Sequence, residues 1–354
     1  MRHGNWIRVM AVIIGLAMLA AACGDDDEGD EGAVDDETTS TTAPNAEGDD
    51  GEAEEAPSES VPAEDLELTV AVASSGLPFL QIDVAEAEGM YEEQGLDVEF
   101  ISVEGSAAAT AAVESGQADV MVSLPEGVIT ARAAGSTLTM IGATVNQNLY
   151  RLYVSADVQS LEDLAGKSIA MLVEGNGTDI QARWLMDEHG PGADAATYVA
   201  VGGLPNRLAA LQQGQANAAF LFPPFDVTAG RSGLEFVADM SDYVDGYPHE
   251  VFAAREQTIE DNPEALAAFM AAIVDASQWI VDNPEDAIDL AVEVTGGEPD
   301  VTAEAFEFTL PAYALDGAIS EEGLQWTLDV MERYLQVGEL PAIEVLYDPQ
   351  FLPG

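Results

Sequence analysis

Apolar residues recur along this chain with two periods that take turns. Residues 66–72 (LELTVAV) alternate and end β-branched, which predicts a strand. A turn follows at Ser74-Ser75-Gly76-Leu77-Pro78, and residues 79–94 carry apolar side chains at helical spacing until Gly95. Residues 96–103 predict a second strand, and a helix opens at Gly105-Ser106. A third strand spans 119–123 and stops at Pro125-Glu126; a helix over 128–134 and a strand over 138–145 complete this part. A strand followed by a helix, over and over with short connections, predicts a parallel sheet covered on both faces.

The pattern then recurs. Residues 105–119 read GSAAATAAVESGQAD and residues 203–217 read GLPNRLAALQQGQAN, an offset of 98 positions. Each opens at Gly, runs about three helical turns, closes on Gly-Gln-Ala and feeds a short apolar run, Val120–Val122 or Ala218–Leu221. Pro125 and Pro223 keep the same offset. Between the copies lie a short helix at 160–164, a strand at 168–173 and a helix from Thr178 to about His189, with Thr178 and Gln181 at capping-box spacing. A strand at 234–237 and a returning strand at 251–254 follow. From Ile259 the period is helical: four amphipathic helices are expected over 263–282, 284–295, 302–313 and 321–337, packed on the first half.

Charge changes the picture mainly at the amino end. Arg2 and Arg8 precede an apolar run over 9–20 that is too short to span a bilayer. Ala20-Ala21-Ala22-Cys23-Gly24 resembles a bacterial lipoprotein cleavage site, so residues 1–23 are expected to be a signal peptide with Cys23 lipidated. Residues 25–65 hold 18 acidic residues and no Lys or Arg. Such a segment buries too little apolar surface to fold and repels itself, so residues 24–65 are read as an extended acidic tether. The remainder keeps 48 acidic residues against 8 basic ones. That balance argues against nucleic acid as a partner and fits adaptation to salt.

In open α/β sheets, ligands bind beyond the carboxyl ends of the strands. The candidate ligand-binding residues are therefore Ser75, Phe79, Ser106, Ser123, Glu126, Tyr150, Asn176, Thr178, Phe222 and Pro223. Helix starts at Phe79, Ser106 and Thr178 offer free N–H groups to an anion. Phe79, Tyr150, Phe222 and Phe225 are candidate walls for a planar ligand. Glu126 and Asp179 suit an amine or ring N–H instead. Among the arginines, Arg183 is expected to pair with Asp179, and Arg151 is the candidate for a ligand carboxylate or sulfonate. No metal-ligand spacing, nucleophilic Cys or Ser-His-Asp order stands in residues 66–354, and no cofactor is expected.

Short tags in order then carry a resemblance: Gly76-Leu77-Pro78-Phe79, Gly89-Met90-Tyr91-Glu92-Glu93-Gln94-Gly95-Leu96, Gly116-Gln117-Ala118-Asp119, Leu161-Glu162-Asp163-Leu164-Ala165-Gly166-Lys167 and Asn283-Pro284-Glu285-Asp286-Ala287. Over about residues 66–353 the chain resembles ABC-importer substrate-binding proteins of the nitrate/sulfonate/taurine and hydroxymethylpyrimidine-precursor family. The resemblance implies an α/β fold of two Rossmann-like lobes with parallel-rich sheets, joined by two crossover strands (the type II periplasmic-binding-protein fold). It places lobe one at 66–148 plus 250–354 and lobe two at 149–249. It implies a monomer outside the cytoplasm, held to the membrane only by its lipid, that clamps a small organic solute and hands it to a permease and ATPase. A sulfonate, a pyrimidine-like heterocycle and an amine-bearing compound all remain open as the solute. The alternatives are an enzyme of pyrimidine-precursor synthesis on the same fold and a solute-sensing receptor subunit.

Overall fold

Strand β1 (Leu66–Val72) pairs in parallel with β2 (Leu96–Ser102) and with β3 (Val120–Ser123). These strands belong to a computed structural model that describes residues 66–354 apart from 74–75, 104 and 336–337. The expected signal peptide, Cys23, the tether and Ser75 lie outside the described residues. The single helix expected over 79–94 is divided: a 3-10 turn at Leu77–Phe79, then α1 (Leu80–Ala87) and α2 (Met90–Glu93). Gly89 causes the break, because its φ of 74° is left-handed and cannot continue a helix. Helices α3 (Gly105–Glu114) and α4 (Pro125–Ala133) and strand β4 (Leu138–Val145) follow.

The second sheet begins with β5 (Arg151–Val154) and β6 (Ser168–Met171), then α5 (Gly177–His189) and β7 (Thr197–Ala200). The repeated pair is α6 (Leu204–Gln212) and β8 (Ala218–Leu221), followed by α7 (Phe225–Arg231) and β9 (Glu235–Asp239). Strand β10 (Glu250–Arg255) then returns to the first sheet. Strands β5 and β7 escape the hydrophobic pattern. Each is four residues long, β5 opens on Arg151, and β7 is a partly exposed edge.

The sheet orders are β2-β1-β3-β10-β4 and β7-β6-β8-β5-β9. Exchanging β1 for β6, β2 for β7, β3 for β8, β10 for β5 and β4 for β9 turns one order into the other. The internal repeat is therefore structural, with α3–β3 answering α6–β8. In each sheet the strand arriving from the other half is antiparallel to its neighbours: β10 runs against β3 and β4, and β5 runs against β8 and β9. The sheets are parallel-rich, as expected, but not wholly parallel.

The remaining helices are α8 (Glu256–Asp261), α9 (Pro263–Asp282), α10 (Pro284–Thr295), α11 (Pro299–Thr309), α12 (Glu321–Tyr334) and α13 (Ile343–Leu346). The α11 helix stops three residues after Phe306 because Pro311 lacks the N–H a further turn needs; a 3-10 turn replaces it. Helix α9 is the core helix of the first lobe, burying Leu266, Phe269, Met270 and Ile273. Two of these helices also touch the second lobe. Arg231 of α7 reaches Asp300 and Glu304 of α11, and Arg333 of α12 pairs with Asp187 and Glu188 of α5. Trp326 stacks edge-on against Trp184 at 5.1 Å.

Candidate functional site

On the first lobe, β3 runs into α4 through Leu124 alone. The residue before a proline is driven to extended backbone, and Leu124 has φ −63°, ψ 146°. Pro125 then occupies the first helical turn, and Glu126 is aimed across toward the second sheet. Glu126 as a whole is 3% exposed. The Tyr247 hydroxyl donates to its two oxygens, at 2.9 and 3.1 Å. Burial raises the Glu126 pKa, while its own backbone N–H, Tyr247 and Gln181 pull it down.

The second lobe meets this carboxyl with the start of α5. Asn176 caps that helix, accepting the Asp179 N–H at 3.3 Å and the Thr178 hydroxyl at 2.8 Å. The Asp179 carboxylate accepts the Gly175 N–H at 2.8 Å. The reciprocal cap is thus Asn176 with Asp179, two positions before the expected Thr178–Gln181 box, and the Thr178 hydroxyl accepts from Leu172 N–H at 3.0 Å instead. Gly177 follows the cap. A Cβ there would lie 2.8 Å from Glu126 Oε1, so the lobes touch at this point.

Behind the contact stands a buried polar and aromatic cluster. Asn148 donates to Gln181 Oε1 at 2.8 Å. The Tyr150 ring packs against Phe220, Phe222 and His249, and Tyr247 packs against His249. Burial, and then the Arg207 charge, hold His249 neutral by lowering its pKa to about 3. Burial pushes the Glu250 pKa well above the usual carboxylate range, and Glu126 adds to it. Among the described residues, no group of three His, Cys, Asp or Glu is placed to hold a metal.

The expected residues divide as follows. Glu126, Tyr150, Asn176, Thr178 and Phe222 converge on the junction. Ser106 and Ser123 meet beside it, both lying within 3.3 Å of the position a Gly127 Cβ would take. Buried Pro223 holds the loop that carries Phe222. Phe79 is drawn into the first lobe's core, 3% exposed, and borders a separate 320 Å³ cavity with Ile82, Asp83 and Phe100. Arg183 pairs with Asp179 at 2.8 Å, as expected. Arg151 is no free anion ligand: it pairs with Asp239 at 2.7 Å and Asp226 at 3.2 Å, and lies over the Phe308 ring. The sequence reading missed Tyr247, His249, Glu250 and Asn148, and took Gln181 only as a capping partner. A signal existed for two of them, since His249-Glu250 leads directly into the apolar run of a buried strand.

The buried carboxyls predict a pH dependence. Burial raises Asp83 to about 6 and Asp226 to about 6, from 3.8. The folded chain thus keeps protons that the unfolded chain releases. Stability is fullest below the unfolded value and declines as pH rises through about 6. Melting scans of solute-free protein should give a midpoint several degrees higher at about pH 5 than at about pH 7.5, and Asp83→Asn should flatten part of the slope. A flat or reversed profile contradicts this.

Two sheets of equivalent topology, meeting at strand ends around a buried polar cluster, define a two-lobed α/β clamp. This is the fold of the periplasmic binding proteins. The periplasmic aliphatic sulphonate binding protein SsuA of Escherichia coli superposes with TM-score 0.70 at 16% identity, covering 82% of this chain and 95% of that one. The nitrate-binding protein NrtA of Synechocystis PCC 6803 gives TM-score 0.64 at 15% identity, covering 81% and 87%. In sequence, YtlA of Bacillus subtilis (strain 168) is 23% identical over 285 residues, 77% of this chain and 84% of YtlA. The NMT1/THI5 like family matches residues 78–287, and the chain belongs to that family.

Proposed function

We propose that this chain is the solute-binding component of an ABC importer. It clamps a small organic molecule between a lobe of residues 66–148 plus 250–354 and a lobe of residues 149–249. The observation that carries the reading is the Glu126–Gly177 contact, where the strand-end loops of two equivalent sheets meet over buried, partly unpaired polar groups. Structural neighbours support it, since SsuA is an aliphatic sulphonate binding protein and NrtA a nitrate-binding protein. A solute can drive closure only through contacts it makes better in the closed form. Groups from both lobes at one place provide such contacts.

The reading places the protein outside the cytoplasm, as a monomer that binds without turnover and delivers to a permease and its ATPase. Cys23 carries a lipid, and the acidic segment holds the clamp off the membrane surface. Cys23→Ser is expected to move the protein from the membrane fraction to the soluble fraction; unchanged retention on membranes would count against the anchor. The test of binding is a melting screen over sulfonates, pyrimidines, flavins and amines. The true solute should stabilise by about 2.7 kcal/mol at a hundredfold excess over Kd. Turnover of a compound, with no stabilisation by any, would favour an enzyme.

A further inference from the structure

On the two-lobed binding reading above, we propose that the solute is a small carboxylic acid and that Arg207 is its specificity-determining residue, taking the carboxylate together with His249. The internal repeat singles Arg207 out. Its equivalent 98 positions earlier is Ala109, a fully buried core residue of α3. In the second lobe the same place carries a guanidinium, and Arg207 is only 3% exposed. A guanidinium keeps its charge in proteins, and buried charges are paired. None of the ion pairs among the described residues includes Arg207. Glu126 and Glu250 do not supply the counter-charge, because burial pushes both toward the neutral form.

The unpaired side-chain nitrogens of the junction point the same way independently. Arg207 Nε, His249 Nε2, Gln181 Nε2 and Asn176 Nδ2 are buried without a partner. All four are donors. His249 Nδ1 accepts the Leu149 N–H at 3.5 Å, which leaves the hydrogen of the neutral ring on Nε2. Buried polar atoms are rarely left so, and the partner they lack is an acceptor. Two of these donors flank one ring: the Arg207 guanidinium is 5.7 Å and the His249 ring 4.9 Å from the centre of Tyr150. Arg207 Nη1 is held by the Phe220 carbonyl at 2.7 Å, which fixes the fork and leaves its Nε side for a ligand.

A carboxylate fits this pair. Its two coplanar oxygens match one side of a guanidinium, and its charge neutralises it. A sulfonate or nitrate spreads its charge over three oxygens and asks for more donors than Arg207 Nε and His249 Nε2 supply. An uncharged ring leaves the Arg207 charge unanswered, and a protonated amine brings only further donors. The start of α5 offers an oxyanion no alternative seat, since the Glu126 carboxyl comes within 2.8 Å of a Gly177 Cβ position. Gln181 and Asn176, on the Glu126 side, are left for a second acceptor further along the solute, a hydroxyl or carbonyl oxygen.

The test sets propionate, lactate and benzoate against their amides, against ethanesulfonate and benzenesulfonate, and against nitrate, read as melting shifts and titration calorimetry. Any small molecule retained by the protein from its own cells is identified by mass spectrometry and joins the panel. At least one carboxylate should stabilise in a dose-dependent way and bind at least tenfold tighter than its amide. Arg207→Met should erase that preference, and Arg132→Gln, at the other end of α4 from Glu126, should keep it. Arg207→Lys keeps the charge without the fork and should weaken the carboxylate at least tenfold; it guards against the methionine variant failing to fold, which circular dichroism would reveal. A preference unchanged in both Arg207 variants overturns the role of Arg207. Stabilisation by a sulfonate or nitrate but by no carboxylate, or a retained molecule without a carboxylate, overturns the solute class and leaves the binding reading standing. Silence across the panel with no retained molecule defeats both.

Discussion

Gly177→Val is expected to leave the protein folded and to weaken solute binding by about 10- to 100-fold. The backbone at Gly177 is not left-handed, so a side chain costs little there by itself. The obstacle is the other lobe. A Cβ would lie 2.8 Å from Oε1, 3.1 Å from Cδ and 3.2 Å from Oε2 of Glu126. Glu126 cannot swing aside freely, because Tyr247 holds both its oxygens. Either the carboxyl is displaced or the lobes stay slightly apart. Overpacking of this kind costs about 1–3 kcal/mol, and each 1.4 kcal/mol is roughly tenfold in Kd. Titration calorimetry with the solute found by melting checks it; an unchanged Kd would mean that the contact is absent from the bound form.

The largest loss of stability is expected from Gly323→Ala. Gly323 lies in the first turn of α12, pressed against the chain that returns from the second sheet. A Cβ there would lie 1.9 Å from the Gly246 carbonyl oxygen, 2.3 Å from its carbon and 2.8 Å from Tyr247 N. All three are backbone atoms, so no rotamer change relieves the clash. A cost of about 3 kcal/mol, the upper end for overpacking, corresponds to a fall of roughly 6–12 °C in melting temperature. Because the displaced segment carries Tyr247, solute binding should weaken too. A variant melting within about 2 °C of the parent would contradict this packing.

What the sequence made legible was the repeated wind of helix and strand. The Gly-Gln-Ala closure recurs 98 positions apart, and the sheets carry α3–β3 and α6–β8 in equivalent places. Glu126 could be found from sequence because a proline after a strand fixes where the next helix points. Thr178 was given a cap that belongs to Asn176, since Asn-x-x-Asp competes with Thr-x-x-Gln and starts the helix sooner. Phe79 has the right address at a strand end, yet the core claims its ring. Arg151 could not be placed because its partners come from distant positions, Asp239 through the pairing of β5 with β9 and Asp226 from the first turn of α7. Tyr247 and Glu126 are separated by 121 positions and meet only where the chain returns to the first sheet. No local pattern encodes that meeting.

The most direct measurement is a crystal structure with the solute identified by melting. The account predicts density between the two sheets, in contact with Glu126 and Tyr150 and with the chain on both sides of the Gly177 approach. Density held by one lobe alone, or on an outer face with the Glu126–Gly177 gap empty, would contradict it.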